Sequence, residues 1–582
     1  MGLAKKIFSI LNPIERKKAY VLIFLMLLGI VFETLSIGLI IPMISVLMTK
    51  DAKSYLYLFP DAVSSWLNTY SHIQLILAFL FFMVCVYILK AIFLSFLAWF
   101  QTVFAYGIQA RVSKQLLSSY LHQPYCYHLQ KNSAQLIFNT TSLPNFLAAG
   151  ILHGASLMTE AFLVLFICLL LLKVEFTGTL IAIGLLSIFA YTLHKIIGKN
   201  ATSWGRTYAL HEGMRIQKIQ QALGGIKEIL VLRRANSFID SYDSDNKKSH
   251  VVAGYQVISQ NISRLILEAV AIVSVMGLIV FMLLSGNSST IVIATVSLFA
   301  AAAFRLMPSA NRIIQSLQTL RYHSSHISDL YNEIFALPIG KSLSTPNADI
   351  STPFKTSIQL EEVSFTYPGS NQLSLNNINL TVNKGQAIGI IGPSGSSKST
   401  LIDLLLALFE PQSGKFTVDG EPVQGNLLGW RKLIGYVPQS IYLSDETLLQ
   451  NIAFGISLDA IDEGLVWDAL RAAQLSEYVR SLPLGLMTII GERGVRLSGG
   501  QRQRIGIARA LYHGPEVLIL DEATSALDGA TEQEVISAIN GLHGVKTIIM
   551  VAHRLSTVSN CDWIYQLDNG VIVEQGKPSD LL

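Results

Sequence analysis

The sequence has few charged residues and few cysteines. Asp, Glu, Lys and Arg make up only 14% of its 582 residues, whereas 51% are hydrophobic. Soluble proteins usually contain about 25% charged residues, so this composition excludes an ordinary soluble protein and indicates a membrane protein. The cysteines, Cys85, Cys126, Cys168 and Cys561, show no paired spacing, which argues against a disulfide framework and a zinc site. The net charge of +4 is too small to indicate binding to nucleic acid.

The apolar residues are concentrated in the first 310 positions. A membrane-spanning helix needs roughly 20 mostly apolar residues. Six segments are candidates, at approximately 20–48, 73–104, 143–172, 176–193, 265–284 and 291–307. We therefore predict a transmembrane domain over 1–337, a linker rich in Ser, Thr and Pro over 338–356, and a second domain over 357–582.

Basic residues in the connecting segments predict the orientation. The segment before the first span contains five, and the loops at 106–141 and 195–248 are also rich in Lys and Arg, whereas 286–290 is uncharged. The positive-inside rule then places both termini and the two long loops in the cytosol.

A loop of small residues follows the apolar run 387–391, which is typical of a buried strand. The backbone N–H groups of such a loop can surround the phosphates of a nucleotide. Lys398 would bind the β- and γ-phosphates, and the Ser399 hydroxyl would complete the Mg²⁺ shell. The usual pattern has glycine before the lysine, where this chain has Ser397. The loop consists of Gly392, Pro393, Ser394, Gly395, Ser396, Ser397, Lys398, Ser399 and Thr400.

Four further motifs favour the same chemistry. The apolar run 517–520 ends in Asp521 and Glu522, a pattern that suits an Asp holding Mg²⁺ through water and a Glu polarising the attacking water. Gln439 and His553 each follow a predicted strand and could reach a γ-phosphate. A hydroxyl and two glycines precede a predicted helix, which indicates a second phosphate-binding site. Its residues are Leu497, Ser498, Gly499, Gly500 and Gln501.

In this order and spacing, the motifs of 357–582 resemble the nucleotide-binding domain of an ABC transporter. The resemblance implies an α/β P-loop domain with an α-helical subdomain, preceded by an all-α transmembrane domain of six helices. It also implies that Tyr367 stacks on adenine, that Gln439 senses the γ-phosphate and contacts Mg²⁺, and that His553 is the switch histidine. Asp528 would belong to the loop that crosses the dimer.

The same resemblance implies an exporter. The segment 488–494 resembles the loop with which exporters contact their membrane helices, and 124–128 and 224–228 lie where exporters have short coupling helices. We expect a homodimer of half-transporters in a bacterial inner membrane, with cytosolic ATPase domains. Each ATP would bind between the P-loop of one copy and the signature sequence, 497–501, of the other.

Three basic residues in or near the spans, Lys90, Arg264 and Arg305, are candidate substrate contacts. Charge at a helix centre costs on the order of 2.5 to 3.5 kcal/mol on insertion scales, so a function is the default interpretation. An anion such as a lipid pyrophosphate would suit them. Alternatively, Arg264 pairs with Glu268 one turn later, and Arg305 extends to the headgroups.

Two acidic residues, Glu33 and Glu160, could be partners for these cations. The segment 304–314 resembles bacterial lipid-linked oligosaccharide flippases, which implies a polyprenyl-pyrophosphate-linked oligosaccharide as substrate. In those flippases an amphipathic helix lies at the outer membrane surface, and 54–67 is the candidate here. The alternatives are an exporter of lipid A-like lipids or drugs, and an ATP-binding regulatory subunit with little turnover, for which Ser397 is the only indication.

Overall fold

The computed structural model describes residues 2–38, 72–174, 176–284, 289–337, 353–523, 529–552 and 554–581. The chain forms two compact units, one of Met1–His122 with Lys131–Gly340 and the other of Gln123–Gln130 with Lys341–Leu582. The predicted surface helix at 54–67 lies outside the described residues.

The described part of the first unit is all α-helical. Long runs of Leu, Ile, Val and Phe favour helices here, because a helix satisfies its own backbone hydrogen bonds away from water. Helix α6 packs along α8, and α5 packs along α9. The helices are α1 (Leu3–Ile10), α2 (Pro13–Gly38), α3 (His72–Leu121), α5 (Ser133–Val174), α6 (Phe176–Gly224), α7 (Ile226–Val231), α8 (Ala235–Leu284), α9 (Ser289–Tyr322) and α10 (Ser324–Ala336), and α4 belongs to the second unit.

Among the described residues, three stretches are long and apolar enough to cross a membrane: Ile76–Leu121, Ser133–Leu169 and Ala235–Gly277. The predicted total of six spans therefore stays a prediction, although a long helix overlaps each predicted segment. The helices also extend well beyond the apolar segments, since α3 has 50 residues and would be about 75 Å long at 1.5 Å per residue.

The second unit contains a six-stranded sheet in the order β10-β9-β3-β8-β7-β6. All neighbours in it are parallel except β10 and β9. Every residue of β3, β7 and β8 is buried, as expected for parallel strands covered on both faces. The strands are β3 (Ala387–Ile391), β6 (Ile434–Val437), β7 (Val517–Asp521), β8 (Thr547–Val551), β9 (Trp563–Asp568) and β10 (Val571–Gly576).

A smaller antiparallel sheet has the order β2-β1-β4-β5. Its strands are β1 (Ser357–Phe365), β2 (Leu375–Asn383), β4 (Ser413–Val418) and β5 (Glu421–Pro422). The helices of this unit are α4 (Tyr125–Gln130), α11 (Lys398–Leu405), α12 (Leu427–Leu433), α13 (Leu448–Ile452), α14 (Glu463–Ala472), α15 (Ser476–Ser481), α16 (Gly499–Leu511), α17 (Gly529–Asn540), α18 (Leu555–Val558) and α19 (Pro578–Leu581).

One short helix joins the second unit from a distant part of the sequence. Helix α4, at the predicted coupling segment 124–128, is grouped with the second unit although it lies between helices of the first. Its Cys126 packs against the core formed by both sheets and α11. Helix α7, at the other predicted segment, belongs to the first unit and leaves Ile226, Leu230 and Val231 exposed.

Candidate functional site

The loop after β3 is folded tightly against the neighbouring strand. A Cβ atom at Gly392 would lie 2.1 Å from the carbonyl oxygen of Leu567, so only glycine fits there. Ser397 has φ 74° and ψ 24°, the left-handed conformation that glycine adopts without strain. The substitution of serine for glycine, noted in the sequence, is therefore accommodated with the glycine-like backbone kept.

Lys398 begins α11 and is held by its own loop. Its Nζ donates to the carbonyl oxygens of Gly392 and Pro393, at 2.9 Å each. Burial lowers the pKa of Lys398, while the nearby Glu522 and Asp521 act in the opposite direction. A phosphate oxygen could replace these two neutral acceptors and would be a stronger partner for the ammonium group.

Within the described residues, the Ser396 hydroxyl oxygen is buried and has no hydrogen-bond partner. A buried polar group without a partner is costly, which is what a loop shaped for an absent ligand would show. With the backbone N–H groups of the loop and Lys398, this orphaned hydroxyl fits a nucleotide's phosphates.

Asp521 ends β7 at the same sheet edge, and Glu522 follows it. The pKa of Asp521 is raised by burial and by the charge of Glu522, against the opposing effect of Lys398. Glu522 has φ 49°, and its backbone N–H donates to the Val551 carbonyl oxygen at 3.1 Å. Such strain in a non-glycine residue is typical of functional sites.

Gln439, which follows β6, donates from Nε2 to Glu522 Oε2 at 2.6 Å. The structure thus brings together two residues that are 83 positions apart in the sequence. A divalent cation is consistent with the oxygen atoms of Ser399, Asp521 and Gln439, because Mg²⁺ prefers oxygen ligands.

The segment 497–501 forms the start of α16. Ser498 is the N-cap residue: its hydroxyl accepts from the Gln501 N–H at 3.2 Å, and the Gln501 side chain accepts from the Ser498 N–H at 2.8 Å. This capping box satisfies two backbone N–H groups, those of Ser498 and Gln501. Gly499 and Gly500 remain as donors, and the Ser498 hydroxyl proton can still be donated to an anion.

A cavity of about 540 Å³ lies between these elements. Its lining includes Gln439, Glu522, Gly499, Arg493 and Arg502. Arg493 belongs to the segment 488–494 and has φ 54°. The cavity therefore contains carboxylate, amide and guanidinium groups around one volume.

Tyr367 contacts the end of the loop at Thr400. Its hydroxyl is 3.1 Å from Thr400 Oγ1, and its ring packs edge-on against Phe365 at 5.2 Å. Of the remaining sequence-predicted residues, Asp528 and His553 lie outside the described residues, so their predicted roles stay predictions.

Sequence reasoning missed Asp403, which lies on α11. Burial and the neighbouring Asp521 raise the pKa of Asp403 to about 6. A signal was present, because Asp403 is the one acid in the apolar run Leu401–Leu405. An acid that stays partly protonated near neutral pH therefore lies next to Asp521, the predicted metal residue.

The structure also gives partners to two of the three basic candidates in the first unit. Lys90 Nζ lies 2.9 Å from Glu33 Oε2 and donates to Ser36 Oγ at 2.9 Å. The Arg264–Glu268 pair, at 3.0 Å, confirms the alternative derived from their spacing.

The other anticipated acidic partner, Glu160, pairs with a different cation, Arg312. The side chain of Arg305 lies outside what the structure describes. Lys90 and Arg264 are thus not free cations. This weakens the expectation that they form a site of unpaired cations for an anionic substrate.

Comparisons with known proteins agree with this geometry. The ABC transporter family model matches residues 375–525. An ATP-dependent lipid A-core flippase from Saccharophagus degradans is 32% identical over 513 residues, which cover 85% of this chain and 83% of that protein. A protein of the same name from Ralstonia nicotianae is 43% identical over 227 residues, covering 39% and 38%. A bacterial Atm1-family ABC exporter with ATP bound has a TM-score of 0.77 at 22% identity, covering 98% of this chain and 96% of its own.

Proposed function

Because the chain belongs to the ABC transporters, as a half-transporter with the type IV exporter fold, we propose that it flips a glycolipid across the bacterial inner membrane. The proposed glycolipid is a polyprenyl-pyrophosphate-linked oligosaccharide. The chain couples ATP hydrolysis to transport. The observation that supports lipid flipping is the 513-residue match to a lipid A-core flippase, which is too long to come from the ATPase domain alone. The choice of a polyprenyl-pyrophosphate-linked oligosaccharide rests on the resemblance of residues 304–314 to lipid-linked oligosaccharide flippases.

For hydrolysis, Lys398 exchanges its two loop carbonyls for phosphate oxygens, and Tyr367 stacks on the adenine. Glu522 gives up its hydrogen bond from Gln439 and takes a proton from the attacking water. When bound by Ser399, Gln439 and Asp521, Mg²⁺ would neutralise charge on the β- and γ-phosphates. In this mechanism the Gln439–Glu522 hydrogen bond belongs to the nucleotide-free state of the enzyme.

We further propose a homodimer in which the segment 497–501 of one copy completes the ATP site of the other. One test mixes two disabled chains, Lys398→Ala and Ser498→Asp. Aspartate keeps the N-cap of α16 but repels phosphate. A mixed dimer has one site with both lesions and one intact site, so the mixture should regain partial ATPase activity. Continued inactivity of the mixture would contradict the shared site.

The substrate assignment depends on the region around Lys90. Its side chain is 15% exposed and that of Glu33 is 11% exposed. A pyrophosphate could reach Lys90 by displacing Glu33 or by binding beside the intact pair. The Tyr87 hydroxyl, which donates to the Ser36 carbonyl oxygen at 3.1 Å, lies in the same group. A polar cluster whose cation is already paired suits an anionic headgroup that binds only weakly and transiently.

A second candidate is a lipid A-core type lipid, because several relatives, including both flippases named above, carry that name. Both candidates can be tested in liposomes by measuring ATP-dependent transfer of each lipid between leaflets, with a neutral drug as a third arm. Transfer of the pyrophosphate-linked glycolipid supports the first proposal, transfer of lipid A alone supports the second, and transfer of the drug alone excludes both.

The double variant Lys90→Met with Glu33→Gln removes both charges and leaves neither unpaired. We expect it to transfer less pyrophosphate-linked glycolipid for each ATP hydrolysed. The matched control is Lys247→Met with Asp243→Asn, an exposed i,i+4 pair on α8. Equal transfer by the two double variants would remove Lys90 from the proposed substrate path.

A further inference from the structure

Phe409 lies at the centre of a group of aromatic rings in the second unit. It is buried, with 4% of its surface exposed. Its ring stacks on Phe365 at 4.8 Å and meets the edge of Tyr367 at 5.4 Å, with planes 85° apart. It also contacts Tyr125, at 5.7 Å between ring centroids. One ring thus touches both the residue proposed to stack on adenine and the first residue of α4.

The nucleotide end of this group is tightly fixed. Tyr367 is held at its ring by Phe365 and Phe409 and at its hydroxyl by Thr400, 3.1 Å away. Thr400 lies two residues after Lys398 on the same helix. A ligand that changes the position of Tyr367 must therefore also change its contact with Phe409, because packed aromatic rings cannot move independently.

The other end of the group lies on α4. Burial raises the pKa of Tyr125, and nearby Asp403 and Tyr367 raise it further, which agrees with a phenol close to both. The next residue, Cys126, packs against the same hydrophobic core. The packing of Tyr125 and Cys126 therefore depends on how the aromatic rings of this group are arranged.

We propose that Phe409 is a positioning residue that makes the packing of α4 depend on whether adenine occupies the ATP site. The contact series runs from Tyr367 through Phe409 to Tyr125, while Thr400 holds the hydroxyl end of Tyr367. This inference rests on the proposed adenine contact of Tyr367, and it goes beyond the proposed function by assigning the path by which the nucleotide affects α4.

The native Cys126 provides a reporter in the full chain. Its alkylation rate can be followed by mass spectrometry of the peptide that contains it, in detergent-solubilised protein. We expect a non-hydrolysable ATP analogue to change this rate by about fivefold, the lower end of typical coupling between two sites. Inorganic tripolyphosphate, which can occupy the P-loop but has no base, should leave the rate close to that of the free protein.

Phe409→Leu keeps an apolar side chain but removes the ring that joins the two tyrosines. It should still bind the analogue, while the change in Cys126 alkylation should disappear. Leu129→Ala is the matched control, because Leu129 lies on α4 and is exposed; it should keep the fivefold response. An unchanged response in Phe409→Leu, or its equal loss in Leu129→Ala, would overturn the proposal.

Two further variants cover other outcomes. Tyr125→Leu removes the outermost ring and should also lose the response, so the proposal stays testable if Phe409→Leu fails to fold. Tyr367→Ala tests the adenine contact itself: unchanged affinity for the analogue contradicts that contact. By contrast, a normal response in Tyr125→Leu contradicts only the path through Phe409.

Discussion

Lys398 and Lys90 are both largely buried, but their partners differ in kind. Lys398 donates to two carbonyl oxygens of its own loop, each at 2.9 Å. Lys90 lies 2.9 Å from the Glu33 carboxylate, and the Ser36 hydroxyl accepts from it at the same distance. A carboxylate is a stronger partner for an ammonium group than a neutral carbonyl. Lys398 is therefore ready to bind an anion, whereas Lys90 already has one.

The difference shows that a buried cation indicates a ligand site only when its partners can be exchanged. In the ATP site the polar contacts are neutral or shared: carbonyls hold Lys398, and an amide holds Glu522. Near Lys90 the charges cancel within the pair. Any anionic substrate there must displace Glu33 or bind beside the intact pair, which favours weak, transient binding.

The largest expected effect is at Glu522. Glu522→Gln should lower the rate of phosphate release by about 10²-fold to 10⁴-fold, the usual contribution of a general base, while ATP binding persists. The control is Glu534→Gln, which removes an ion pair with Arg504 and changes a carboxylate that is 54% exposed. A parent chain as slow as Glu522→Gln would instead support the regulatory-subunit alternative.

The next effect sharpens the contrast at Lys90. Lys90→Met leaves the Glu33 carboxylate buried without its cation, and we expect a loss of about 3 kcal/mol in stability. Adding Glu33→Gln should recover most of it, because no charge is then left unpaired. The measurement is thermal unfolding in detergent. If the single and double variants melt together, Lys90 and Glu33 are not coupled, and the comparison with Lys398 fails.

Local patterns were sufficient for several elements. The apolar runs at 387–391 and 517–520 predict strands. Strand β3 has the first of these bounds, and β7 extends one residue beyond the second, to Asp521. The predicted helix at 502–512 is α16, which begins three residues earlier at Gly499. The Arg264–Glu268 pair could also be predicted, because residues four apart share one helix face.

Contacts between distant segments could not be predicted in this way. Ser36 and Lys90 are 54 positions apart. The sequence offers Glu33 as a partner for one of the candidate cations, but only the packing of α2 against α3 selects Lys90. The Gln439–Glu522 hydrogen bond depends on the pairing of β6 with β7. The sequence contains each of these residues, but their pairing follows from sheet order and helix packing.

Asp403 provides a test of an acid whose close neighbour is another acid. Its pKa of about 6 lies above the value of an unfolded Asp, near 4, so the folded state binds more protons between these values. Stability should therefore fall as pH rises from 4 to 6 and then level off, by about 1 kcal/mol after allowance for partial solvation. Asp403→Asn should remove this dependence and be more stable at pH 7.

The control for this pH series is Asp468→Asn, because the Asp468 side chain is 61% exposed and lies outside the ATP site. Denaturant unfolding at several pH values is the measurement. A parent chain that becomes more stable between pH 4 and 6, relative to Asp403→Asn, would show that Asp403 has a stabilising cationic partner, as Glu33 has in Lys90.

The smallest effect concerns the loop that holds Lys398. Ser397 has φ 74°, a conformation that costs an L-residue roughly 1 to 2 kcal/mol in the folded state. Glycine removes this strain, but its greater freedom in the unfolded chain offsets part of the gain. Ser397→Gly should therefore stabilise the protein by about 0.5 kcal/mol. Asn569→Gly is the control, since Asn569 has φ 46° in a turn outside the loop. Thermal unfolding and ATP titration together separate two roles for Ser397. If only stability rises, as in the control, the serine is a tolerated replacement for glycine. If ATP binding weakens, the Ser397 hydroxyl contacts phosphate, and phosphate binding by the loop depends on this hydroxyl as well as on the exchange of the carbonyl partners of Lys398.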